Sequence, residues 1–377
     1  MTRRDLLTGA AALAVAGPAL ARKPAPDYMP IVKDKMATYL PYYEERELTE
    51  PTVLLDESGL LNPQAIGWSR RPLVRANLHG HRLRKKRWNF WNFITRDFVL
   101  SATIADIDYA SFCAVDLTDF GTKKSFSAMA IGRGGSIAMP EEVEKSIAWQ
   151  KGGVSAVFDH FGTGIKVSLL CPKMKGGPGQ GEFTISKPAG HETLNIVAPW
   201  SRERFQLNSK HNTLPVEGEF RVGGRVYPMK PEECHAVQDF GRGVWPYRSY
   251  WNWGVLSGVQ DGVRIGVNMG AKWTTGTGAN ENGICCDGKL FKVMEDLTWE
   301  YNPAAWDQPW RMRTTHSDMI DLTLTPLVVR DTTLSIGFVG TGGVCAFGHY
   351  NGKLRFDGRT LEVRDIIGWG EEFSHRW

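Results

Sequence analysis

Residues 235–254 read HAVQDFGRGVWPYRSYWNWG, and three Trp, two Tyr, two Arg and one acid, Asp239, share these twenty positions. Each ring carries about 150–250 Å² of mostly apolar surface, so such a segment is not left in water. A buried Asp239 would need a partner. From Trp245 onward a period of two puts Trp245, Tyr247, Ser249, Trp251 and Trp253 on one face of a strand. Arg248, Tyr250 and Asn252 fall on the other, and Pro246 fits a strand start or an edge. The pattern is β. An aromatic wall beside a few polar groups suits a ligand pocket, and it suits a β core equally. The part from Asp239 through Arg242, Trp245 and Tyr247 is the better pocket candidate; Trp251 and Trp253 read rather as packing.

The same alternation runs through the rest of the chain. Residues 98–109 and 110–117 alternate apolar with small or polar side chains, and further short strands follow to residue 366. Gly223-Gly224, Asp287-Gly288, Asn351-Gly352 and Asp357-Gly358 supply turns between them. One helix is expected, over Pro140–Trp149, where a proline start is followed by Glu141, Glu142 and Glu144. Trp91-Asn92-Phe93 is echoed by Trp251-Asn252-Trp253, which suggests two related β units. The expectation is an all-β chain of tandem antiparallel barrels or curved sandwiches with few short helices. Its divisions are 51–214 and 215–377.

The N-terminus carries Arg3-Arg4, a short weakly apolar run from Thr8 to Leu20, and Ala19-Leu20-Ala21. Together these read as a twin-arginine export signal over residues 1–21, followed by an arm over 22–50, and imply a periplasmic or exported product. No other stretch approaches eighteen apolar residues, so no membrane span is expected in the mature chain. A net charge of +4 over 377 residues implies no nucleic-acid partner. The six cysteines are irregularly spaced without a CxxC pair and read as buried thiols. His79-Gly80-His81 lacks a third ligand nearby, so no metal is expected.

No GxSxG elbow, HExxH, P-loop or dinucleotide fingerprint is present. The chemistry left is cofactor-free acid/base work or binding. Acids near aromatic surface are candidates for a raised pKa, the property of a general acid. Asp239 and Glu281 lead, followed by Asp287 and Glu371; a salt bridge to Arg242, Arg248 or Lys272 is the alternative for each. On the strand after the aromatic stretch, Asn268 and Lys272 share a face with Gly266 and Gly270, leaving room for a ligand. With Arg242, Trp245, Tyr247, Tyr250 and Asn252 they form the expected binding set.

Several blocks also carry a resemblance: LNPQAIGWSRRPL, KKRWNFWNF, DFGRGVWPYRSYWNWG, NMGAKWTTGTGANENGICCDGKLFKV and IIGWGEEFSHRW. Over roughly residues 50–377 the chain resembles the domain of unknown function 2804 family. More distantly it is similar to the lipocalin-like superfamily of hydroxyneurosporene synthase, a carotenoid hydratase. That resemblance implies two lipocalin-like barrels. It also points to a hydratase, isomerase or lyase type of reaction on an apolar isoprenoid or lipid. A non-catalytic carrier of apolar ligands is the alternative, and a glycan hydrolase using Trp platforms and two carboxylates is a further one.

Overall fold

The alternation read over residues 98–133 becomes three antiparallel strands, Phe98–Asp106, Ala110–Asp119 and Ser125–Arg133. Small and apolar residues at every second position turn one face inward: Leu100, Ala102, Val115 and Leu117 join Trp91 and Phe93 in the first core. The computed structural model describes residues 45–336 and 339–377, so the export-signal reading of 1–21, and the arm as far as 44, lie outside the described residues.

Two large sheets account for most of the chain. The first has thirteen strands. Its path runs from Ser125–Arg133 through Lys85–Ile94, His235–Val244 and Phe205–Val222 to Ile147–Lys151. The second has nine, with Arg248–Gln260 paired to Arg359–Arg376 at its centre. Both curl: Val154–Phe161 comes round against Ala110–Asp119, and Val263–Ala271 approaches Leu297–Glu300. The second core holds Leu256, Met269, Trp310, Leu322, Leu324 and Tyr350. The architecture is the all-β arrangement of curved antiparallel sheets expected, and the one short helix named among the described residues is the 3-10 turn Pro63–Ala65 capped by Asn62.

Three expectations need correction. The sheets divide between Val244 and Arg248, around Pro246; residue 215 instead lies inside the strand Phe205–Val222. The cause is His235–Val244, which hydrogen-bonds to both Phe205–Val222 and Lys85–Ile94 and so completes the first sheet. The echo of Trp91-Asn92-Phe93 is not an equivalence either. Trp91 and Phe93 point into the first barrel, whereas Trp251 and Trp253 point out of the second, toward the first.

The expected helix over Pro140–Trp149 is absent: these residues form turns leading into the strand Ile147–Lys151. Its carbonyls are taken by tertiary partners. Pro140 O accepts from Arg242 Nε and Nη2 at 3.1 and 3.0 Å, and Glu141 O accepts from Ala76 N at 2.9 Å. Val143 is drawn into a core cluster with Leu54 and Phe205.

Arg242 is itself fully buried. Besides Pro140 it donates to Trp88 O at 2.7 Å, Gly241 O at 2.8 Å and Asn89 Oδ1 at 2.7 Å, and its guanidinium lies 3.7 Å from the centre of the Phe240 ring. Every donor is spent inside the protein. Arg242 is therefore a structural cross-link and not the ligand-binding group expected. Arg242→Met should lower the unfolding free energy in urea by about 3 kcal/mol or more, because it strands several buried acceptors at about 1–3 kcal/mol each; a loss below about 1 kcal/mol would contradict this account.

Candidate active site

The outward faces of the two barrels meet along a seam. Lys86, Trp88 and Phe90 alternate on the first wall, and Glu371, Phe373, His375 and Trp377 on the second. Phe90 meets Trp253 edge-on at 6.0 Å, and Trp88 stacks on Trp377 at 6.4 Å. Trp251 stacks on Phe373 at 5.6 Å and lies 4.5 Å from His375. Trp88, Phe90, Trp251, Phe373, His375 and Trp377 all stay partly exposed, so solvent reaches this line of rings.

At the floor of the seam sits Lys210, from the strand Phe205–Val222, with only 4% of its side chain exposed. Its Nζ lies 3.1 Å from Asp239 Oδ2 and 3.0 Å from Glu281 Oε2, and 4.0 Å from the centre of the Trp253 ring. Lys210 and Asp239 are opposite each other in the ladder, so the first pair follows from register. Glu281 arrives from the segment before Gly283–Cys286 and crosses Gly270, where a Cβ would collide with it. Trp273 Nε1 donates to its Oε1 at 2.5 Å. Asn268 ties the group together, accepting from Trp253 Nε1 at 2.8 Å and donating to Glu281 O at 2.5 Å.

The electrostatics follow from this crowding. Burial penalises the Lys210 charge, yet Asp239 and then Glu281 outweigh it and hold the amine above its ordinary range. Burial, reinforced by Asp239, raises the Glu281 carboxyl against the pull of Lys210. Glu371 stands opposite Trp253 in the neighbouring ladder and accepts from Trp251 Nε1 at 3.3 Å. Burial, aided by the negative Asp239 and Glu281 and opposed by Trp251 and Lys210, pushes it up to about 8. Glu371 therefore carries a proton at neutral pH. Asp239 Oδ1 is buried and, among the described residues, accepts no hydrogen bond.

Three of the four acids expected from sequence converge here: Asp239, Glu281 and Glu371. Asp287 does not. It sits exposed in a turn with φ 47°, and its Oδ1 accepts from Arg264 N at 2.9 Å. Among the binding candidates only Asn268 touches the cluster. Asn252 and Lys272 lie on the far face of their strands, both donating to the Tyr301 hydroxyl, at 3.2 and 3.0 Å; Lys272 turns there because its φ is 73°. Trp245 packs against Trp200 and Trp273 and also meets the seam rings of Trp88, Trp251 and Trp377 at 6.1, 6.2 and 5.8 Å, whereas Tyr247 is 39% exposed and Tyr250 lies on the face opposite Trp251. The weighting read from sequence is thus reversed: Trp251 and Trp253 line the site, while Arg242 and Tyr247 stand away from it.

Sequence reasoning missed Lys210. Its signal was available, since it is the only Lys, Arg, Asp or Glu between residues 205 and 216, in a strand buried along that length. All six cysteines are free thiols; Cys345, opposite Glu371, belongs to the seam. Among the described residues no group of His, Cys, Asp and Glu is placed to hold a metal ion, and His79 and His81 each bond a main-chain carbonyl.

Fold and site together define a two-barrel all-β protein with a carboxyl cluster between the barrels. The chain belongs to the domain of unknown function 2804 family, whose model matches residues 45–377. No curated protein matches it in sequence. Among solved structures it is similar to kievitone hydratase from Nectria haematococca, with 10% identity and a TM-score of 0.43 over 77% of this chain and 88% of that one. It is also similar to CghA with Sch210972, with 11% identity and a TM-score of 0.46 over 84% of this chain and 97% of that one. No helix among the described residues is long and apolar enough to cross a membrane.

Glu371 yields a stability test. A carboxyl whose folded pKa is raised contributes stability that is fully present below its unfolded pKa and lost as pH climbs through about 8. Glu371→Gln escapes that loss. Its melting temperature relative to the parent should rise between pH 5 and pH 9, by roughly 3 °C or more; a difference constant with pH would show that Glu371 is ionised throughout.

Proposed function

We propose that the protein is a cofactor-independent acid/base enzyme of the hydratase, isomerase or lyase type, acting on an apolar small molecule held in the inter-barrel seam. The observation that carries this reading is Glu371, its carboxyl pushed up to about 8 by burial, in the same site as Asp239 and Glu281, which flank the Lys210 ammonium at 3.1 and 3.0 Å. In the hydration direction Glu371 gives its proton to one carbon of a double bond. Asp239, held through Oδ2 by Lys210, offers Oδ1 to the water that attacks the other carbon and takes its proton. Solvent exchange then returns the proton to Glu371. The stacked pair of Trp251 and Phe373 walls the developing cation off from bulk water. Glu281, bonded by Trp273 and paired to Lys210, is a positioning residue.

Two other readings stand beside it. A carrier of apolar ligands would use the same half-exposed aromatic walls without the proton transfers. The glycan reading is weaker, because Trp251 and Trp253 already meet Phe373, His375, Trp369 and the Lys210 ammonium. Export by the twin-arginine route remains part of the proposal, supported by Arg3-Arg4 and the small-residue stretch Ala19-Leu20-Ala21.

The test begins with mass spectrometry of compounds that co-purify with the protein, which then serve as substrates. Glu371→Gln and Asp239→Asn should each lower turnover by about 10²–10⁴-fold with binding retained. The parent rate should fall about tenfold per pH unit above about 8, as Glu371 loses its proton. Turnover unchanged in both variants would exclude the assignment; binding without turnover in the parent would favour the carrier.

A further inference from the structure

The seam has a second charged end. Lys86 lies on the same wall as Trp88 and Phe90 and is fully buried. Its Nζ reaches the Ile107 carbonyl at 3.4 Å, a long hydrogen bond, and lies 4.4 Å from the centre of the Tyr109 ring and 5.3 Å from that of Trp377. The carboxylates nearby are committed elsewhere, Asp106 to Arg87, and Asp108 to Lys85 at 3.3 Å and Arg87 at 3.4 Å. Among the described residues Lys86 forms no ion pair. Beside it, Arg84 spends its Nη atoms on the carbonyls of Trp245 and Trp377, while its Nε is buried and, among the described residues, without an acceptor.

A buried ammonium without a counter-ion is costly, and the group answers by giving up its proton. Burial, with Arg84 next, brings Lys86 down to about 7, with Asp108 and Asp106 opposing. Across the seam His375 is held neutral, near 3, by burial and by Lys86. A buried amine with one long hydrogen bond and a guanidinium Nε that lacks an acceptor, side by side at one end of an aromatic seam, are complementary to an anionic oxygen.

We propose that the seam takes an apolar molecule with a carboxylate head, the head seated on Lys86 and Arg84 Nε and the body lying along Trp88, Trp377, Phe373 and Trp251 toward Glu371. This rests on the reading of the seam as the substrate site and adds the substrate's class. A strand advances about 3.3 Å per residue, so Lys86 and Phe90 are separated by about 13 Å. That is the reach of a medium-chain fatty acid. Seating the carboxylate restores the proton to Lys86, so binding above neutral pH takes up a proton from solvent.

Titration calorimetry of the full chain with dodecanoic acid, methyl dodecanoate and dodecanol, in two buffers of different ionisation enthalpy, tests this. The acid should bind about tenfold or more tighter than the ester or the alcohol. Its binding should take up close to one proton at pH 8 and much less at pH 6. Lys86→Met should erase the preference. Lys86→Arg should keep it while abolishing the proton uptake, which a loss of folding would not do. Glu371→Gln should leave the preference intact. Equal affinity for acid and ester in the parent, or an unchanged preference in Lys86→Met, overturns the carboxylate assignment alone if turnover still depends on Glu371. Binding by none of the three overturns it together with the seam as a ligand site.

Discussion

The interaction on which the rest depends is the ammonium of Lys210 held between Asp239 and Glu281 over the face of Trp253. Taking an ammonium out of water costs several kcal/mol unless opposite charge and hydrogen bonds replace the solvent. Here the replacements come from both sheets: Asp239 belongs to the first, Trp253 to the second, and Glu281 is carried in just ahead of Gly283–Cys286. The barrels cannot slide past each other without uncovering that charge. The same arrangement sets the state of a third carboxyl: Glu371 is pushed up to about 8 first by its own burial, with the charges of Asp239 and Glu281 adding to the rise.

Arg242 and Lys210 are both buried cations, and their surroundings separate two uses. Arg242 is met almost wholly by neutral acceptors, four main-chain or side-chain oxygens that its planar fork suits, and it pins the 140s segment to the first barrel. Lys210 is met by carboxylates on an edge that stays partly open. A third cation, Lys292, is buried against Glu45 Oε2 at 2.9 Å and anchors the start of the described chain to the second barrel. Burial of charge alone marks none of these as functional. The partner set does.

The fold was legible because period-two alternation is a local signal. Leu100, Ala102, Val115 and Leu117 could face only one way once paired, and turns such as Gly223-Gly224, with φ of 59° and 78°, declare themselves by composition. The division at Pro246 was not legible, since nothing local says whether His235–Val244 pairs backward with Lys85–Ile94 or forward. The helix over the 140s failed for a related reason: its end signals were real, but a guanidinium a hundred residues away took the Pro140 carbonyl and the Ala76 amide took that of Glu141. Asp239, Glu281 and Glu371 were readable as acids beside aromatics. Their convergence on Lys210 depends on long-range register, which leaves no trace in any short window of sequence, and for the same reason Asp287 looked as good as they did.

The pairing order also constrains how the chain comes together during synthesis. The first sheet is complete once Val244 has emerged, because His235–Val244 pairs with strands already made. The second cannot close that way: its founding strand, Arg248–Gln260, pairs on one side with Arg359–Arg376, made more than a hundred residues later. Until then the outward faces of Trp251 and Trp253 have no neighbours on that side, and Lys210 faces an unfinished wall. Glu371 is carried on that closing strand, so the carboxyl group beside Lys210 is assembled only when that strand docks, and a chain ended before it lacks one wall of the seam.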